Sequence, residues 1–136
     1  MANILIVEDN AANMALAVFL LESAGHTVRS ATNAETGLTL AREEQPHLIL
    51  MDVQLPGMDG LEATAFLKRD VATRAIPVIA LTALAMKGDE ERIRAAGCDG
   101  YIAKPLAYKD FLAVVSAQLG ARADQRATAP RAEPER

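Results

Sequence analysis

The chain of 136 residues contains no tryptophan and only one cysteine, Cys98. A single thiol cannot form an internal disulfide, which favours a reducing compartment. No apolar run approaches the ~20 residues that a membrane-spanning helix needs, and the N-terminal sequence MANILIVEDN lacks the basic start and cleavage site of a signal peptide. We therefore expect a soluble, cytoplasmic protein with no membrane contact.

Positive charge is also in short supply. Lysine and arginine number 14 against 18 acidic residues, so the formal net charge is -4. A protein that holds nucleic acid by neutralising its phosphates normally presents a broad basic face, so we expect no nucleic acid partner. The hydrophobic content of 51% is ordinary for one domain with its own apolar core.

Five apolar runs have the length of β-strands. They cover Ile4 to Val7, Thr27 to Ala31, Leu48 to Met51, Val78 to Leu81 and Gly100 to Ala103. The segments between and after them are rich in Ala, Leu, Glu and Arg with apolar spacings of three and four, which indicates helices. Strands that alternate with helices predict an α/β fold, a doubly wound (βα)5 sandwich with a parallel sheet covered on both faces.

The helical pattern ends near Leu119 and Gly120, and glycine is a common helix terminator. The remaining sequence, ARADQRATAPRAEPER, has alanine as its only apolar residue, together with two prolines and seven charges. Such a segment cannot bury enough surface to offset its ordering entropy. We therefore predict one domain over residues 1–120 and a disordered tail over residues 121–136. The short start before the first strand and this tail favour a stand-alone protein.

Polar side chains follow four of the five predicted strands. Glu8 and Asp9 follow the first, Asp52 the third, Thr82 the fourth and Lys104 the fifth. Taken singly, each residue is also consistent with a purely structural role as a helix cap, a loop acid or a turn residue. Because the carboxyl ends of parallel strands meet at one edge of the sheet, their joint occurrence favours a shared site.

Three carboxylates at one edge repel each other unless a cation neutralises them, so a divalent ion is expected. An oxygen-only site that also handles phosphate suits Mg2+. The two histidines, His26 and His47, precede strands at the opposite edge, so they are interpreted as turn residues and offer no zinc site.

Asp52 is the best candidate for a nucleophile, because a carboxylate can accept a phosphoryl group as an aspartyl phosphate. Asp59, later in the loop, is available to cap the third helix. Thr82 supplies a hydroxyl and Lys104 an ammonium, which complete the groups that phosphoryl transfer needs. A cis bond between Lys104 and Pro105 would turn the lysine back toward Asp52.

Four motifs together resemble response-regulator receiver domains, over residues 3–119. They are EDN at 8–10, MDVQLPGMDG at 51–60, LTALA at 81–85 and GYIAKP at 100–105. The stretch TALAMKGDEERIRAAGCDGYIAKP is most similar to single-domain regulators of the DivK type and to receivers of hybrid histidine kinases. The resemblance implies a flavodoxin-like strand order 2-1-3-4-5.

The resemblance also implies roles for individual residues. Glu8, Asp9, Asp52 and the backbone carbonyl of Gln54 would hold Mg2+, and Asp52 would accept the phosphoryl group from a histidine kinase or a histidine phosphotransferase. Thr82 and Lys104 would contact the phosphoryl oxygens. Thr82 and Tyr101 would form the switch pair that moves after phosphorylation, although Tyr101 is also open to interpretation as a residue that merely packs at a strand end.

The fourth helix, read as Met86 to Ala96, is crowded with charges and has few apolar anchors. We expect the face of helix 4, strand 5 and helix 5 to bind a downstream protein. Gln54 and Leu84 near the phosphoryl group are not general bases, so the protein is expected to be no enzyme beyond a slow autophosphatase.

Two other functions fit the residues less well. A phosphatase with an aspartate nucleophile generally needs a second acid close to it, and the position two residues after Asp52 is Gln54. A pure interaction module has no need for the complete set of site residues. Dinucleotide binding is disfavoured because no G-x-G-x-x-G follows the first strand.

Overall fold

A computed structural model describes residues 2–83, 87–104 and 106–131. The strands are β1 (Asn3–Val7), β2 (Thr27–Ala31), β3 (Leu48–Asp52), β4 (Val78–Thr82) and β5 (Gly100–Ala103). The helices are α1 (Ala11–Ser23), α2 (Ala34–Glu44), α3 (Gly60–Arg69), α4 (Lys87–Ala95) and α5 (Tyr108–Arg131). Three residues named above, Leu84, Met86 and the proposed cis-proline Pro105, lie outside the described ranges.

The five strands form one parallel sheet in the order β2-β1-β3-β4-β5. Every predicted strand is present, and no boundary differs by more than one residue. The α/β fold and the flavodoxin-like strand order are therefore confirmed. The central strands read as continuous apolar runs because β3 and β4 are buried along their full length.

Alternate side chains of each strand point to opposite faces of the sheet, which separates the core into two layers. One layer contains Ile6, Leu50 and Leu81 and packs against α1 and α5, with Phe111 of α5 fully buried. The other layer contains Ile49 and packs against α2 and α3. The helices of both layers fix the positions of the strand ends.

Local capping agrees with the sequence at α3. Asp59 is its N-cap, with a capping box in which Asp59 and Glu62 each accept a hydrogen bond from the other's backbone N–H. The predicted role of Asp59 is therefore confirmed. At α1 the cap is Asn10, whose side chain accepts from the Asn13 N–H at 2.9 Å. Asp9 is not needed as a cap and stays exposed.

Helix α5 differs from the prediction, because it continues through Gly120 to Arg131. The expected helix end at Gly120 is wrong. Residues 121–129 contain alanine, arginine and glutamine, which have high helix propensity, and the prediction gave weight only to their lack of apolar burial. The assignment of residues 121–136 to a tail outside the domain stays a prediction.

Both histidines lie at the amino-terminal edge of the sheet, as expected, and each contacts the start of β1. The Nδ1 atom of His26 accepts a hydrogen bond from the Ala2 N–H at 3.3 Å. The Nδ1 atom of His47 accepts one from the Asn3 N–H at 2.9 Å. Burial lowers the pKa of His26, which favours the neutral ring that this acceptor role requires.

Among the helices that the structure describes, none combines the length and the apolar character that crossing a membrane requires.

Candidate functional site

The predicted site residues meet at the carboxyl edge of the sheet. The register pairs Val7 with Met51, Asp52 with Leu81, and Thr82 with Ala103, so the ends of four strands are level. Glu8 follows β1 directly and Lys104 follows β5 directly. The sheet therefore brings together side chains that lie near opposite ends of the sequence.

Lys104 connects the two buried acids of the site. Its Nζ atom lies 3.0 Å from Oε1 of Glu8 and 3.0 Å from Oδ2 of Asp52. The other oxygen of Asp52, Oδ1, accepts a hydrogen bond from the Gln54 N–H at 3.0 Å. Asp52 is only 2% exposed, so both of its oxygens are held in place inside the protein.

The two oxygens of Glu8 have different partners. Oε2 accepts from the Asn10 N–H at 3.1 Å. Oε1 lies close to Lys104, but it accepts no hydrogen bond of acceptable geometry from any residue that the structure describes. Buried oxygens without a hydrogen bond are rare in folded proteins, and a bound ion is one partner that satisfies them.

The pKa values of Glu8 and Lys104 are both raised, by burial in one case and by neighbouring carboxylates in the other. Burial, followed by the neighbouring carboxyl group of Asp52, raises the pKa of Glu8. Burial by itself lowers the pKa of the Lys104 ammonium, but the carboxylates of Glu8 and Asp52 outweigh that effect and raise it. The lysine therefore remains charged, and bringing a second carboxylate next to Asp52 is costly.

Glu8, Asp9 and Asp52 form an acidic cluster in which one oxygen of each lies within 4.8 Å of the others. Three carboxyl groups and one ammonium favour a net negative charge at the edge of the sheet, which a divalent cation would balance. Oε1 of Glu8, which lies 3.0 Å from the Lys104 ammonium, offers such an ion a ligand atom. The donor set is all oxygen, so these residues fit Mg2+ better than zinc.

Thr82 ends β4 beside the end of β3 and is buried. Tyr101 lies on β5 and its hydroxyl donates a 2.7 Å hydrogen bond to Oε2 of Glu90 on α4. The hydrogen bond to Glu90 raises the pKa of Tyr101, and burial raises it further by a smaller amount. Sequence reasoning named Tyr101 but missed Glu90, because one acid in the charged run of α4 carries no sequence mark that separates it from its neighbours.

Gly60 is a second residue that the sequence analysis missed. Its N–H donates to the Val53 carbonyl at 3.0 Å, and a Cβ atom built on it would overlap the backbone carbonyl oxygen of Asp52. Only glycine allows α3 to begin this close to the backbone of Asp52. The signal was present in the motif MDVQLPGMDG, where a glycine directly follows the capping Asp59.

An open cleft of about 500 Å³ adjoins the acidic cluster. Its walls come from the end of β1, the loop between β3 and α3, and α4. The residues that line it are Asp9, Val53, Gln54, Leu55, Pro56, Asp59 and Arg92. Because Asp9 belongs both to the cluster and to the cleft, the cleft leads directly to the site.

Comparisons with known proteins agree with this geometry. The family model described as response regulator receiver domain matches residues 4–116. Proteins named polar-differentiation response regulator DivK from Brucella anthropi and Brucella ovis are 51% and 52% identical to this chain, covering 87% of it and 96% of their own length.

Solved structures give the same result. A receiver domain of a sensor histidine kinase from Pseudomonas aeruginosa, described with a magnesium ion coordinated in its active site cleft, is 34% identical with a TM-score of 0.82, covering 88% of this chain and 98% of its own. A CheY-like receiver domain from Methanospirillum hungatei is 29% identical with a TM-score of 0.85, covering 92% and 98%.

Proposed function

Because this chain belongs to the response regulator receiver domain family of two-component signalling, we propose that Asp52 is its phosphoacceptor. The observation that carries the proposal is the position of Asp52, which ends β3 at the carboxyl edge of the sheet, belongs to the acidic cluster and lies beside Lys104. Receiver domains are regulatory phosphoacceptor domains that interact with histidine kinases and downstream targets.

In the proposed reaction a carboxylate oxygen of Asp52 forms a bond to phosphorus while the bond between phosphorus and the donor breaks. The leaving group departs with the electron pair of that bond. The Gln54 N–H and Lys104 hold the two oxygens of Asp52 in the free protein. Lys104 then binds a phosphoryl oxygen with its ammonium, and the Thr82 hydroxyl donates to another.

We propose Mg2+ as the cofactor, held by Glu8, Asp9, Asp52 and the backbone carbonyl of Gln54. The acidic cluster supports this assignment, as does Oε1 of Glu8, which is ion-paired with Lys104 but accepts no hydrogen bond from the described residues. When bound, the ion would neutralise negative charge on the phosphoryl oxygens. The protein's own contribution is to hold three carboxylates close together against their mutual repulsion.

Loss of the phosphoryl group is proposed to be slow. The side chain two residues after the acceptor belongs to Gln54, an amide that cannot take a proton from water. Hydrolysis then depends on unassisted water. Timed loss of label from wild type and from Gln54→Ala tests this proposal, and a collapse of hydrolysis in the variant would show that Gln54 positions the attacking water.

The proposed output is a protein partner that docks on the face of α4, β5 and α5. Tyr101 connects β5 to α4 through Glu90, which supports a path from Thr82 to this face.

We propose a histidine kinase or a histidine phosphotransferase as the phosphodonor and the cytoplasm as the compartment. The free and partly buried thiol of Cys98 fits a reducing environment.

The central experiment compares labelling of wild type, Asp52→Asn and Asp70→Asn by acetyl phosphate with Mg2+ present. Asp52→Asn is expected to abolish labelling without loss of fold, because the change removes one charge and keeps the side-chain shape. Asp70 ends α3 away from the site, so Asp70→Asn is the matched acid-to-amide control and is expected to label normally. Wild-type labelling of folded Asp52→Asn would disprove the proposal.

A further inference from the structure

The cleft beside the acidic cluster carries opposite charges on its two sides. Asp9 lines it on the side of β1, and Arg92 lines it from α4. Gln54 and Pro56, in the loop after the acceptor, also line it. A molecule that reaches Asp52 by this route therefore meets an arginine as well as the acids.

Most of the charge around the cleft repels a phosphodonor. Glu8, Asp9, Asp52 and Asp59 are acidic, and a phosphoryl group carries up to two negative charges. Lys104 is already shared at 3.0 Å between Glu8 and Asp52, so its charge is largely compensated. Mg2+, when bound, would offset two of these four acidic charges and Lys104 one, so a further cation nearer the solvent reduces the repulsion that remains along the entrance.

Arg92 has the exposure and the donors for that role. Its side chain is 60% exposed, and Nη1 lies 3.1 Å from Oδ1 of Asp89 one turn earlier in α4. A guanidinium has five N–H donors in a planar fork, so the contact with Asp89 orients the group and leaves other donors for phosphoryl oxygens.

We propose that Arg92 is a specificity-determining residue that attracts the anionic phosphodonor into the cleft and binds its outer oxygens. The inference rests on the proposed role of Asp52. Arg92 takes no part in bond exchange: the new bond joins phosphorus to Asp52, and the broken bond joined phosphorus to the leaving oxygen or nitrogen. Donors with more negative charge should gain most from Arg92.

The test measures the rate of phosphoryl transfer to the full chain from acetyl phosphate and from phosphoramidate, with Mg2+ saturating, in low and in high salt. Acetyl phosphate is a dianion with a P–O bond to break. Phosphoramidate has less net negative charge near neutral pH and a P–N bond, like a phosphohistidine. Arg92→Ala is expected to slow transfer from acetyl phosphate roughly 3- to 10-fold in low salt, with a smaller loss in high salt and with phosphoramidate.

Two further variants separate charge at the cleft from charge elsewhere. Arg92→Lys keeps the positive charge and is expected to retain most of the wild-type rate. Arg94→Ala removes the same charge from the same helix at an exposed position that does not line the cleft, and it is expected to match wild type. Equal losses in Arg94→Ala and Arg92→Ala would overturn the proposal.

Calorimetry of Mg2+ binding is a second measurement, in which Arg92→Ala should not show the loss that is expected for the transfer rate. Removal of a cation from the cleft should leave Mg2+ affinity equal or higher in Arg92→Ala, whereas a distorted site would bind Mg2+ more weakly and contradict the proposal. An unchanged transfer rate in Arg92→Ala would also overturn it. A wild-type chain that neither donor labels would instead contradict the proposed function of Asp52, so the two failures are distinguishable.

Discussion

Glu8 and Asp52 are two buried carboxylates that share one ammonium, and the third acid of the cluster, Asp9, is exposed. Buried charges are tolerated when they are paired, and removal of one partner leaves an uncompensated charge. The exposed acid is therefore the safest one to change, because Asp9 can be neutralised without loss of a buried ion pair. This difference determines which variant tests metal binding cleanly.

We expect Mg2+ to raise the melting temperature of wild type and to leave Asp9→Asn nearly unchanged. A ligand that binds only the folded state stabilises it by about 1.4 kcal/mol when its concentration is about tenfold above Kd. Thermal melts with and without millimolar Mg2+ measure the effect. The Mg2+ shift of Asp70→Asn, and not its absolute melting temperature, should match that of wild type, because this change also removes the ion pair with Arg42. A wild-type melting temperature that does not change when Mg2+ is added would contradict the proposed metal site.

His26 gives the fold a pH dependence of its own. Burial lowers its pKa from the ordinary value of 6.5, so the unfolded chain takes up a proton at a higher pH than the folded chain does. The stability that the neutral ring provides is complete above about pH 6.5 and is lost as the pH falls through the lowered pKa. Protonation of Nδ1 also removes the acceptor for the Ala2 N–H.

Urea unfolding as a function of pH tests this contribution. His26→Asn keeps a possible acceptor but cannot be protonated, so its stability should decrease less than that of wild type as the pH falls below 6.5. At higher pH the two proteins should show the same slope. Parallel curves over the entire range would show that His26 makes no such contribution.

Among the helices, α4 is the one whose connection to the sheet is easiest to change. Its buried apolar side chain is Ile93, and the Tyr101 hydroxyl provides a polar connection through Glu90. Its other described side chains are exposed or only partly buried. An element with few buried contacts opens at low free energy and can respond to a change at the neighbouring site.

We expect Glu90→Ala to release Tyr101 and loosen α4. The pKa of Tyr101 should fall toward its usual value, because the carboxylate that raises it is gone. Amide exchange in α4 should become faster while the rest of the sheet keeps its protection. Tyrosine absorbance titration and hydrogen exchange measure the two effects, and Glu91→Ala, an exposed neighbour, is the matched control. A Glu91→Ala variant with the same changes would refute a specific connection through Glu90.

The elements were predictable to different degrees, for physical reasons. The strands and the start of α3 follow from local signals, namely apolar runs and the capping Asp59. The end of α5 was not predictable from Gly120, because one glycine costs only about 1 kcal/mol inside a helix and good helix formers on its C-terminal side offset that cost. The contacts of Glu90 and Arg92 depend on the rotation of α4 about its axis, which the packing of Ile93 sets and periodicity in a charged helix does not reveal.

The candidate site was predictable for a different reason. Glu8, Asp52, Thr82 and Lys104 each end or follow a strand, and a parallel sheet brings such positions to one edge whatever the loop sequences are. The strand topology, and not closeness in the sequence, therefore brings these residues together. The need for glycine at position 60 and the contacts of the Glu8 oxygens depend on distances between elements that a residue pattern does not reveal.

The arrangement of the layers limits where a signal from Asp52 can go. Helices α1, α2 and α3 are held by the two apolar core layers, whereas α4 adjoins β5 and receives the hydrogen bond of Tyr101. The proposed phosphorylation of Asp52 would add up to two negative charges next to Thr82 and Lys104. The element with the weakest apolar anchoring is the one that such a local change in charge can move.

We therefore expect beryllofluoride, a mimic of the phosphoryl group, to change amide exchange mainly in α4, β5 and the first turn of α5. Mg2+ is present in both arms of the experiment, so that the difference reports the mimic and not the metal. Asp52→Asn, which lacks the carboxylate that beryllofluoride binds, should show no change and serves as the control. The matched internal reference is α2, which packs on β1 and β2 at the opposite edge of the sheet from β5. Changes confined to α2 would show that the signal leaves through a different face and would contradict the proposed route through α4 and β5.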